Sequence, residues 1–564
     1  MKTACLFALA TILLTLSGAL SLRPALATEG TVATVHPLAT DAGLGALERG
    51  GNAVDAAVAA ALMLGVVDGH NSGLGGGCFI LIRRADGKLA AIDGRETAPG
   101  KATPDMYLRD GRPVPELSKT GSLAAGVPGA LAGYDRALRD HGRLALADLL
   151  RPAAGLAEHG YILHEPGAAR LNKMAKVLGR FPGTRAVLVK PDGEKWKAAD
   201  VLKQPDLART YRAIADHGTG WFYKGPFARA VEIWMKKTGG ILAAEDFARY
   251  EVRQREPVVT TYRGYTIAGF PPPSSGGVHV AQVLNILEGF DLAKMHRDQP
   301  AAFYHTVAEA MKLAFADRAH WLGDPAFAKV PHGLVDKQYA AALARRIDPV
   351  KAIEVKGHGR PPAWQTDHFG RHTTHIAAAD AEGNWVAITA TVNTAFGSKV
   401  IVPGTGVVLN NQMDDFSIAP GVPNAAGLVG AEANAVAPGK RPLSSMSPTI
   451  VLKDGKPVLT LGAAGGPTII TQVLMTLVYH LDLGRPLPAA VASPRIHHQW
   501  QPDELRVQKS LGAEMIAGLQ KRGHKVKPVA HLGVTQAIGV KADGKSLTGV
   551  HDPSVRGKAA GTQP

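Results

Sequence analysis

Blocks of apolar residues with two different spacings alternate along this chain, and they predict both helices and strands. Residues 42–48 and 54–66 are rich in Ala, Val and Leu and predict two helices, the second of them buried. Residues 79–83 and 89–92 predict two strands joined by a turn at Ala85-Asp86-Gly87. The beginning of the chain therefore already mixes the two kinds of element.

From about residue 105 to 350 the pattern is mainly helical, with amphipathic examples at 136–151 and 302–315. Short apolar runs dominate later in the chain. They predict strands at 373–379, 385–393, 406–409, 449–453 and 457–461, and a helix near 469–482. We find no internal repeat and no low-complexity segment. This order indicates the α+β class, and spacing alone does not select an architecture within it.

The first 27 residues have the pattern of a cleaved secretory signal. Lys2 is basic, residues 4–20 are mostly apolar, and Ala25-Leu26-Ala27 is an A-x-A cleavage site. An uncleaved membrane anchor is the alternative, but polar residues interrupt the apolar run. We expect an exported, soluble product, which would be periplasmic if the source is Gram-negative.

Composition excludes some classes of partner. The formal net charge of +15 favours anions, but Lys and Arg are scattered and form no compact basic run, which argues against nucleic acid. No later stretch approaches the roughly 20 apolar residues that span a bilayer. Cys5 belongs to the predicted signal, so Cys78 remains alone and we expect a buried structural thiol without a disulfide.

One predicted hairpin carries an unusual possibility for catalysis. Thr373 and Thr374 stand between a polar segment rich in Pro, Gly and His and the first strand of the hairpin. Cleavage before Thr373 would create a residue with a hydroxyl nucleophile and its own amine base. The α-amine titrates near pH ~8, so it can accept the hydroxyl proton at physiological pH. Alone, this segment would be read as a surface hairpin.

The motifs that follow the hairpin change that interpretation. They occur in a fixed order: Thr391-Val392-Asn393-Thr394, Asn410-Asn411-Gln412-Met413-Asp414-Asp415, Arg441-Pro442-Leu443-Ser444-Ser445 and Gly462-Ala463-Ala464-Gly465-Gly466. Upstream stand Asp93-Gly94-Arg95-Glu96 and Pro271-Pro272-Pro273-Ser274-Ser275-Gly276-Gly277. This ordered set resembles the γ-glutamyltransferase family of N-terminal-nucleophile hydrolases, over nearly the whole mature chain. The resemblance implies a four-layer αββα sandwich.

The resemblance also implies roles in acyl transfer. Thr373 matches the nucleophile that forms a γ-glutamyl ester, and Thr391 matches the residue that orients it. Gly465 and Gly466 match the oxyanion hole, where backbone N–H groups must approach the developing negative charge closely. The precursor would cut itself into a large fragment, 28–372, and a small one, 373–564, which remain together as a heterodimer.

Other matching residues would bind the zwitterionic end of a donor such as glutathione. Arg95 is the candidate for the α-carboxylate, because its planar guanidinium suits bidentate binding. Ser444 and Ser445 match donors of hydrogen bonds to the same carboxylate. Asp415 matches the partner of the α-ammonium, with Asn393 and Gln412 assisting; Thr391 and Gly466 also match donor contacts. Acceptors would be water, amino acids or short peptides.

Signals for other chemistries are weak in this sequence. The 21 histidines show no compact ligand spacing, so we expect no metal. Gly73-Leu74-Gly75-Gly76-Gly77 lacks the third glycine of a dinucleotide fingerprint, and we expect no organic cofactor. Lys119-Thr120-Gly121 has no accompanying Ser-x-x-Lys, which excludes a penicillin-recognising serine enzyme.

Two alternatives to a secreted γ-glutamyltransferase / glutathione hydrolase remain. A related acylase would use the same nucleophile on another acyl group, such as a cephalosporin side chain, and Arg95 and Asp415 argue against it. An exported binding protein could keep the fold without catalysis, and retention of Thr373, Thr391 and Gly465-Gly466 argues against that.

One departure from the family concerns the loop that would cover the site. Residues 419–431 resemble this lid, in which well-known bacterial members carry a Tyr where this chain has Ala426. Because Ala cannot fill that volume, we expect easier access for water or bulky donors.

Overall fold

A computed structural model describes residues 29–362, 375–419 and 421–562. The predicted signal, Thr373 and Thr374 lie outside the described residues. The described strands, β1 to β20 in chain order, are Gly30–Thr34, Gly77–Arg83, Leu89–Gly94, Leu108–Arg109, Arg112–Pro113, Tyr161–Ile162, Val201–Leu202, Arg253–Arg255, Val258–Tyr262, Tyr265–Gly269, His375–Asp380, Trp385–Thr391, Thr449–Lys453, Lys456–Ala464, Ile496–His497, Leu505–Gln508, Val526–Val529, Val534–Val540, Leu547–His551 and Lys558–Gly561.

The helices cover much of the remaining chain. In the same ranges α1 to α18 are Pro37–Glu48, Ala53–Val67, Glu116–Lys119, Ala130–His141, Leu146–His159, Glu165–Leu178, Pro182–Leu188, Pro205–His217, Gly220–Tyr223, Pro226–Thr238, Ala244–Ala248, Gly276–Leu287, Leu292–Asp298, Pro300–Trp321, Lys337–Ala344, Thr468–Leu477, Leu487–Ala492 and Ala513–Lys521.

Two large antiparallel sheets form the centre of the molecule. One has seven strands in the order β20-β1-β11-β12-β2-β3-β8, and the other has six in the order β19-β18-β14-β13-β10-β9. Phe79, Trp385 and Ile450 belong to the apolar layer between the sheets. Burial on both faces explains why β11 and β12 are buried along their whole length.

Helices cover the outer face of each sheet. The outer core of the seven-stranded sheet joins Ile80 and Val386 to α2. This helix is buried at every position because Ala, Val and Leu occupy all of its sides. The outer core of the six-stranded sheet joins Leu461 to α12, α14 and α16. The resulting order of helix, sheet, sheet and helix confirms the αββα sandwich and the α+β class.

Several details of the predicted elements are wrong. Residues 406–409 form no strand, only a single bridge between Ile401 and Val408, because Gly404 and Gly406 turn the chain with positive φ. The helix predicted at 136–151 is two helices separated at Gly142. Residues 105–350 are mainly helical, as expected, and they also contribute β9 and β10 to the six-stranded sheet.

The seven-stranded sheet interleaves distant parts of the chain. β1 lies between β20 and β11, with Val32 opposite both Ala560 and Ala378. β12 in turn pairs with β2, where Thr391 is opposite Gly77. Strands from before and after residue 372 are therefore neighbours in one hydrogen-bonded sheet, at β20-β1, β1-β11 and β12-β2. Within the described residues no helix is long and apolar enough to cross a membrane.

Candidate active site

A cavity of about 120 Å³ lies where β12 and β14 end. Its walls join residues that the sequence places far apart. They are Asn71, Asn393, Asp415, Ala426, Leu428, Ala464, Gly465, Gly466 and Pro467. Four of the predicted site residues, Asn393, Asp415, Gly465 and Gly466, thus share one small space.

The turn after β14 directs two backbone N–H groups away from the adjacent helix. The carbonyls of Ala464 and Gly465 accept hydrogen bonds from Gln472 and Thr468 of α16, at 3.0 and 2.8 Å. In a trans peptide the following N–H points the opposite way, so those of Gly465 and Gly466 point away from α16. Both residues have positive φ, +136° and +62°, which glycine adopts without strain. The geometry suits an oxyanion site.

Thr391 and Asn393 form a tight turn at the end of β12. The Asn393 N–H donates to Thr391 Oγ1 at 2.7 Å, and the Asn393 side-chain amide donates to the Asn411 carbonyl at 3.0 Å. Asn393 has a φ of +76°, which Asn tolerates better than most residues. Thr391 is buried, and this turn fixes its hydroxyl against Asn393, which lines the cavity.

Asp415 connects the cavity to buried charges. It ends a short 3₁₀ turn, Gln412–Asp415. Its Oδ2 accepts hydrogen bonds from Arg95 Nη2 at 2.6 Å and from Gln412 Nε2 at 3.0 Å. Asn434 Nδ2 donates to the Asp415 carbonyl at 2.8 Å and fixes the backbone. The predicted ligands of the donor's two charges are therefore in direct contact.

Arg95, Ser444 and Ser445 lie behind the cavity. All three are fully buried, and they do not belong to the described residues that line it. Ser444 is held by its carbonyl, which accepts from the Ser275 backbone N–H at 3.0 Å. The Ser445 hydroxyl accepts from Arg318 Nη2 at 3.4 Å. These groups form a polar floor whose link to the cavity is Asp415.

Two residues of this polar floor were not predicted from the sequence. Glu96 lies 3.3 Å from Arg95 Nη1, but burial outweighs this ion pair and raises the pKa of Glu96 to about 8. Arg318, from α14, donates to both Ser275 and Ser445; burial lowers its pKa, and Asp415 opposes this shift. Glu96 directly follows Arg95 in the Asp93-Gly94-Arg95-Glu96 motif, and this neighbouring position could have identified it as part of the site.

The loop over the cavity is organised by Asn424. Its side-chain oxygen accepts from the N–H groups of Ala426 and Leu428, at 3.0 and 3.1 Å. Asp414 anchors the loop by accepting from the Ala425 N–H at 2.9 Å. A Cβ atom on Gly466 would be 3.9 Å from that of Ala426, so position 426 faces the proposed oxyanion turn.

One group of described residues could hold a metal ion. His305, Glu309 and His524 bring their ligand atoms within 4.8 Å of one another. Lys312 Nζ lies 2.9 Å from Glu309 Oε1 and already compensates its charge. None of these residues lines the cavity.

Comparison with known proteins adds an independent observation. Residues 39–562 match the family model described as Gamma-glutamyltranspeptidase. The "Glutathione hydrolase proenzyme" of Escherichia coli (strain K12) is 45% identical, over 94% of this chain and 91% of that protein. The protein of the same name from Pseudomonas sp. (strain A14) is 40% identical, over 95% and 94%.

A solved structure gives the same picture of the fold. The crystal structure of cephalosporin acylase from Bacillus halodurans superposes with a TM-score of 0.84 at 29% identity, covering 95% of this chain and 96% of that one. The likeness therefore extends over both sheets and both helical layers.

Proposed function

Since this chain belongs to the gamma-glutamyltranspeptidase family and is a glutathione hydrolase, we propose that Thr373 is its nucleophile and that the cavity beside Asp415 holds the reacting γ-glutamyl group. The observation that carries this proposal is the convergence of Asn393, Asp415, Gly465 and Gly466 on one cavity. Two residues span at most about 7 Å. A Thr two positions before His375 can therefore reach the end of the sheet where Thr391 leaves β12.

The chemistry proceeds in two acyl transfers. The Thr373 hydroxyl attacks the γ-carbonyl carbon while its proton passes to the α-amine of the same residue. The N–H groups of Gly465 and Gly466 stabilise the oxyanion. The departing amine takes the proton as the C–N bond breaks, leaving a γ-glutamyl ester on Thr373. Water or an acceptor amine then attacks this ester and restores the hydroxyl.

The donor's charged end is bound by an exchange of partners. The donor α-carboxylate replaces Asp415 on Arg95, with the hydroxyls of Ser444 and Ser445 nearby. Asp415 then turns to the α-ammonium, assisted by Gln412, which already contacts it at 3.0 Å. Each ion keeps an opposite charge throughout, so no buried charge is left alone.

A cephalosporin acylase is the second candidate and is less favoured. Sequence identity separates the two activities only narrowly, because an acylase proenzyme of Pseudomonas sp. (strain SE83) is 39% identical and the Escherichia coli glutathione hydrolase proenzyme is 45% identical. The buried Arg95–Asp415 pair suits a zwitterionic acyl end and has no partner in an acyl group without both charges.

Maturation completes the proposal. The precursor folds, and Thr373 then attacks the carbonyl of His372 and water resolves the ester, which gives a heterodimer of 28–372 and 373–564. Export follows from the segment before residue 28, with cleavage after Ala27. The exported enzyme would act on extracellular or periplasmic γ-glutamyl compounds.

A denaturing gel with intact masses tests the assignment. Purified enzyme should give two chains, the smaller beginning Thr-Thr-His, and should hydrolyse γ-glutamyl-4-nitroanilide. Thr373→Ala should remain one inactive chain, while Thr374→Ala, its neighbour, should still be cleaved. A fully active single chain would refute Thr373 as the nucleophile.

A further inference from the structure

A second, larger cavity adjoins the active-site cavity. Its volume is about 440 Å³, and it shares the wall residues Asn71 and Ala464 with the smaller one. The donor's γ-glutamyl group enters the small cavity, so the amine on the other side of the scissile bond has this space beside it. The volume falls in the range of sites for whole small molecules and exceeds the needs of a water nucleophile.

Most of the wall is apolar. It includes Leu163, Leu171, Leu188, Leu202, Phe396 and Val407. Such a surface gains free energy by covering an apolar ligand body, at about 25 cal/mol for each Å² removed from water. Glycine alone would leave this wall in contact with solvent, whereas an aromatic or branched side chain would cover it.

The polar part of the cavity is positively charged. Arg170 and Arg556 line it. Burial lowers the pKa of His164, the N-cap residue of α6, and both guanidinium groups lower it further. Asp68 is the one carboxylate among the described lining residues. It is already engaged by Asn71 Nδ2, at 3.1 Å, and by His70 Nδ1, at 3.3 Å.

His70 connects Arg170 to Asp68 and keeps the arginine in place. Arg170 Nη1 donates to His70 Nε2, and His70 Nδ1 faces Asp68. Burial, followed by Arg170, holds the pKa of His70 well below its usual value, so the imidazole is neutral. Among the described residues neither Arg170 nor Arg556 forms a salt bridge, which leaves both charges available to an anion.

We propose that the larger cavity binds the amine side of the substrate, selecting leaving groups and acceptors that combine an apolar body with a carboxylate, and that Arg170 and Arg556 bind this carboxylate. The proposal rests on the proposed function of the adjoining cavity. The leaving amine and the acceptor amine approach the same ester carbon from the same side, so one subsite serves both halves of the reaction. Amino acids and dipeptides with apolar side chains have this chemistry.

Two chromogenic donors that differ by one carboxylate provide the test. They are γ-glutamyl-4-nitroanilide and γ-glutamyl-3-carboxy-4-nitroanilide, and the measured quantity is the ratio of their kcat/KM values. Arg170→Met and Arg556→Met should each reduce the preference for the carboxylated donor, by about 10-fold or more for a lost charge-assisted hydrogen bond. Arg170→Lys, which keeps the charge, should recover part of it.

Controls separate this subsite from folding and from the activity itself. Lys173→Met removes an exposed cation from the same helix and should leave the ratio at the wild-type value. Arg556 is exposed, so its replacement should not disturb folding. If the arginine variants hydrolyse both anilides with the wild-type ratio, the carboxylate site is wrong and the proposed function stands. If wild type hydrolyses neither anilide, the proposed function itself is wrong.

Transfer to acceptors that differ by one carboxylate provides a second test of the same subsite. Wild type should use glycylphenylalanine better than its C-terminal amide, and the double variant Arg170→Met/Arg556→Met should use the two equally. An unchanged preference for the free carboxylate in the double variant would overturn the proposal.

Discussion

Arg95 Nη2 lies 2.6 Å from Asp415 Oδ2, so the two residues assigned to opposite charges of the donor bind each other. The contact joins positions 320 residues apart. A donor with a free carboxylate and a free ammonium can replace both halves of this pair at once. A ligand with only one of these charges would leave either Arg95 or Asp415 without a counterion, and that cost provides selectivity.

The first prediction concerns this selectivity. Asp415→Asn should lower kcat/KM for γ-glutamyl-4-nitroanilide about 30-fold or more, because breaking a buried charge pair costs roughly 2–5 kcal/mol. The kcat/KM for glutaryl-4-nitroanilide, which lacks the ammonium, should fall much less. The comparison is made by steady-state kinetics on processed enzyme.

Asp216→Asn is the matched control for Asp415→Asn. Asp216 forms an exposed pair with Arg151 at 2.9 Å, and such pairs contribute about 0–1 kcal/mol. Equal losses for the glutamyl and glutaryl donors in Asp415→Asn would show that Asp415 supports the fold and does not recognise the ammonium.

The second prediction concerns the buried carboxyl of Glu96. Burial raises its folded-state pKa to about 8, from 4.5. The native protein therefore holds a proton that the unfolded chain releases near pH 4.5, and this contribution to stability is present below that pH and is lost as pH rises to about 8. Glu96→Gln, which cannot ionise, should flatten the decline in Tm between pH 6 and 9. An unchanged slope would contradict the assignment of a neutral Glu96.

The third prediction concerns a glycine beside Thr391. A Cβ atom on Gly76 would lie 1.7 Å from the Thr391 carbonyl oxygen. Gly76→Ala should therefore displace the end of β12, destabilise the protein by about 3 kcal/mol or more, and impair cleavage into two chains. Thermal melting and a denaturing gel measure the two effects.

Gly155→Ala serves as the control for the Gly76 variant. Gly155 is inside α5, and a Cβ atom there would meet nothing within 4 Å. Alanine should stabilise this helix by about 0.5–1 kcal/mol. Normal processing and activity in Gly76→Ala would mean that the close approach to Thr391 is not required.

The fourth prediction concerns Ala426 in the loop over the cavity. Ala426→Tyr should place an aromatic ring opposite Gly466, exclude water from the ester and increase transfer to glycylglycine relative to hydrolysis. Leu428 already lines the cavity and is the competing cover. Leu428→Ala should shift the ratio in the opposite direction. An unchanged ratio in both variants would show that this loop does not control access by water.

Local patterns predicted those parts of the fold that depend on near neighbours. The hairpin of β11 and β12 follows from apolar runs around a turn at Asp380–Asn384, where the Asn384 N–H donates to Asp380 Oδ1 at 2.9 Å. The strand expected at 406–409 fails because its apolar residues are buried by core packing without a partner ladder: Val407 is buried beside turns at two glycines. Apolarity indicates burial, and only pairing makes a strand.

Contacts between residues far apart in the sequence could not be predicted from the spacing of apolar residues. Nothing in the sequence near Arg318 distinguishes a solvated helical base from one that is buried against Ser275 and Ser445. Likewise, Arg95 and Asp415 were predicted as site residues because their motifs resemble those of the family. Their direct pairing depends on how two segments 320 residues apart meet in the fold, which the motifs do not show. The protonation state of Glu96 depends on its burial, and burial depends on residues that are distant in the sequence.

The interleaved seven-stranded sheet would make the proposed cleavage before Thr373 irreversible for folding. With β1 between β20 and β11, breaking the bond before Thr373 leaves every strand in its ladder, and the two fragments separate only if the sheet unfolds. Before the cut, refolding is an intramolecular event. After the proposed cut, it would require two chains to meet, so dilution would work against recovery. The mature enzyme would thus persist for as long as its unfolding rate allows, with the uncut precursor as the last form able to refold unaided.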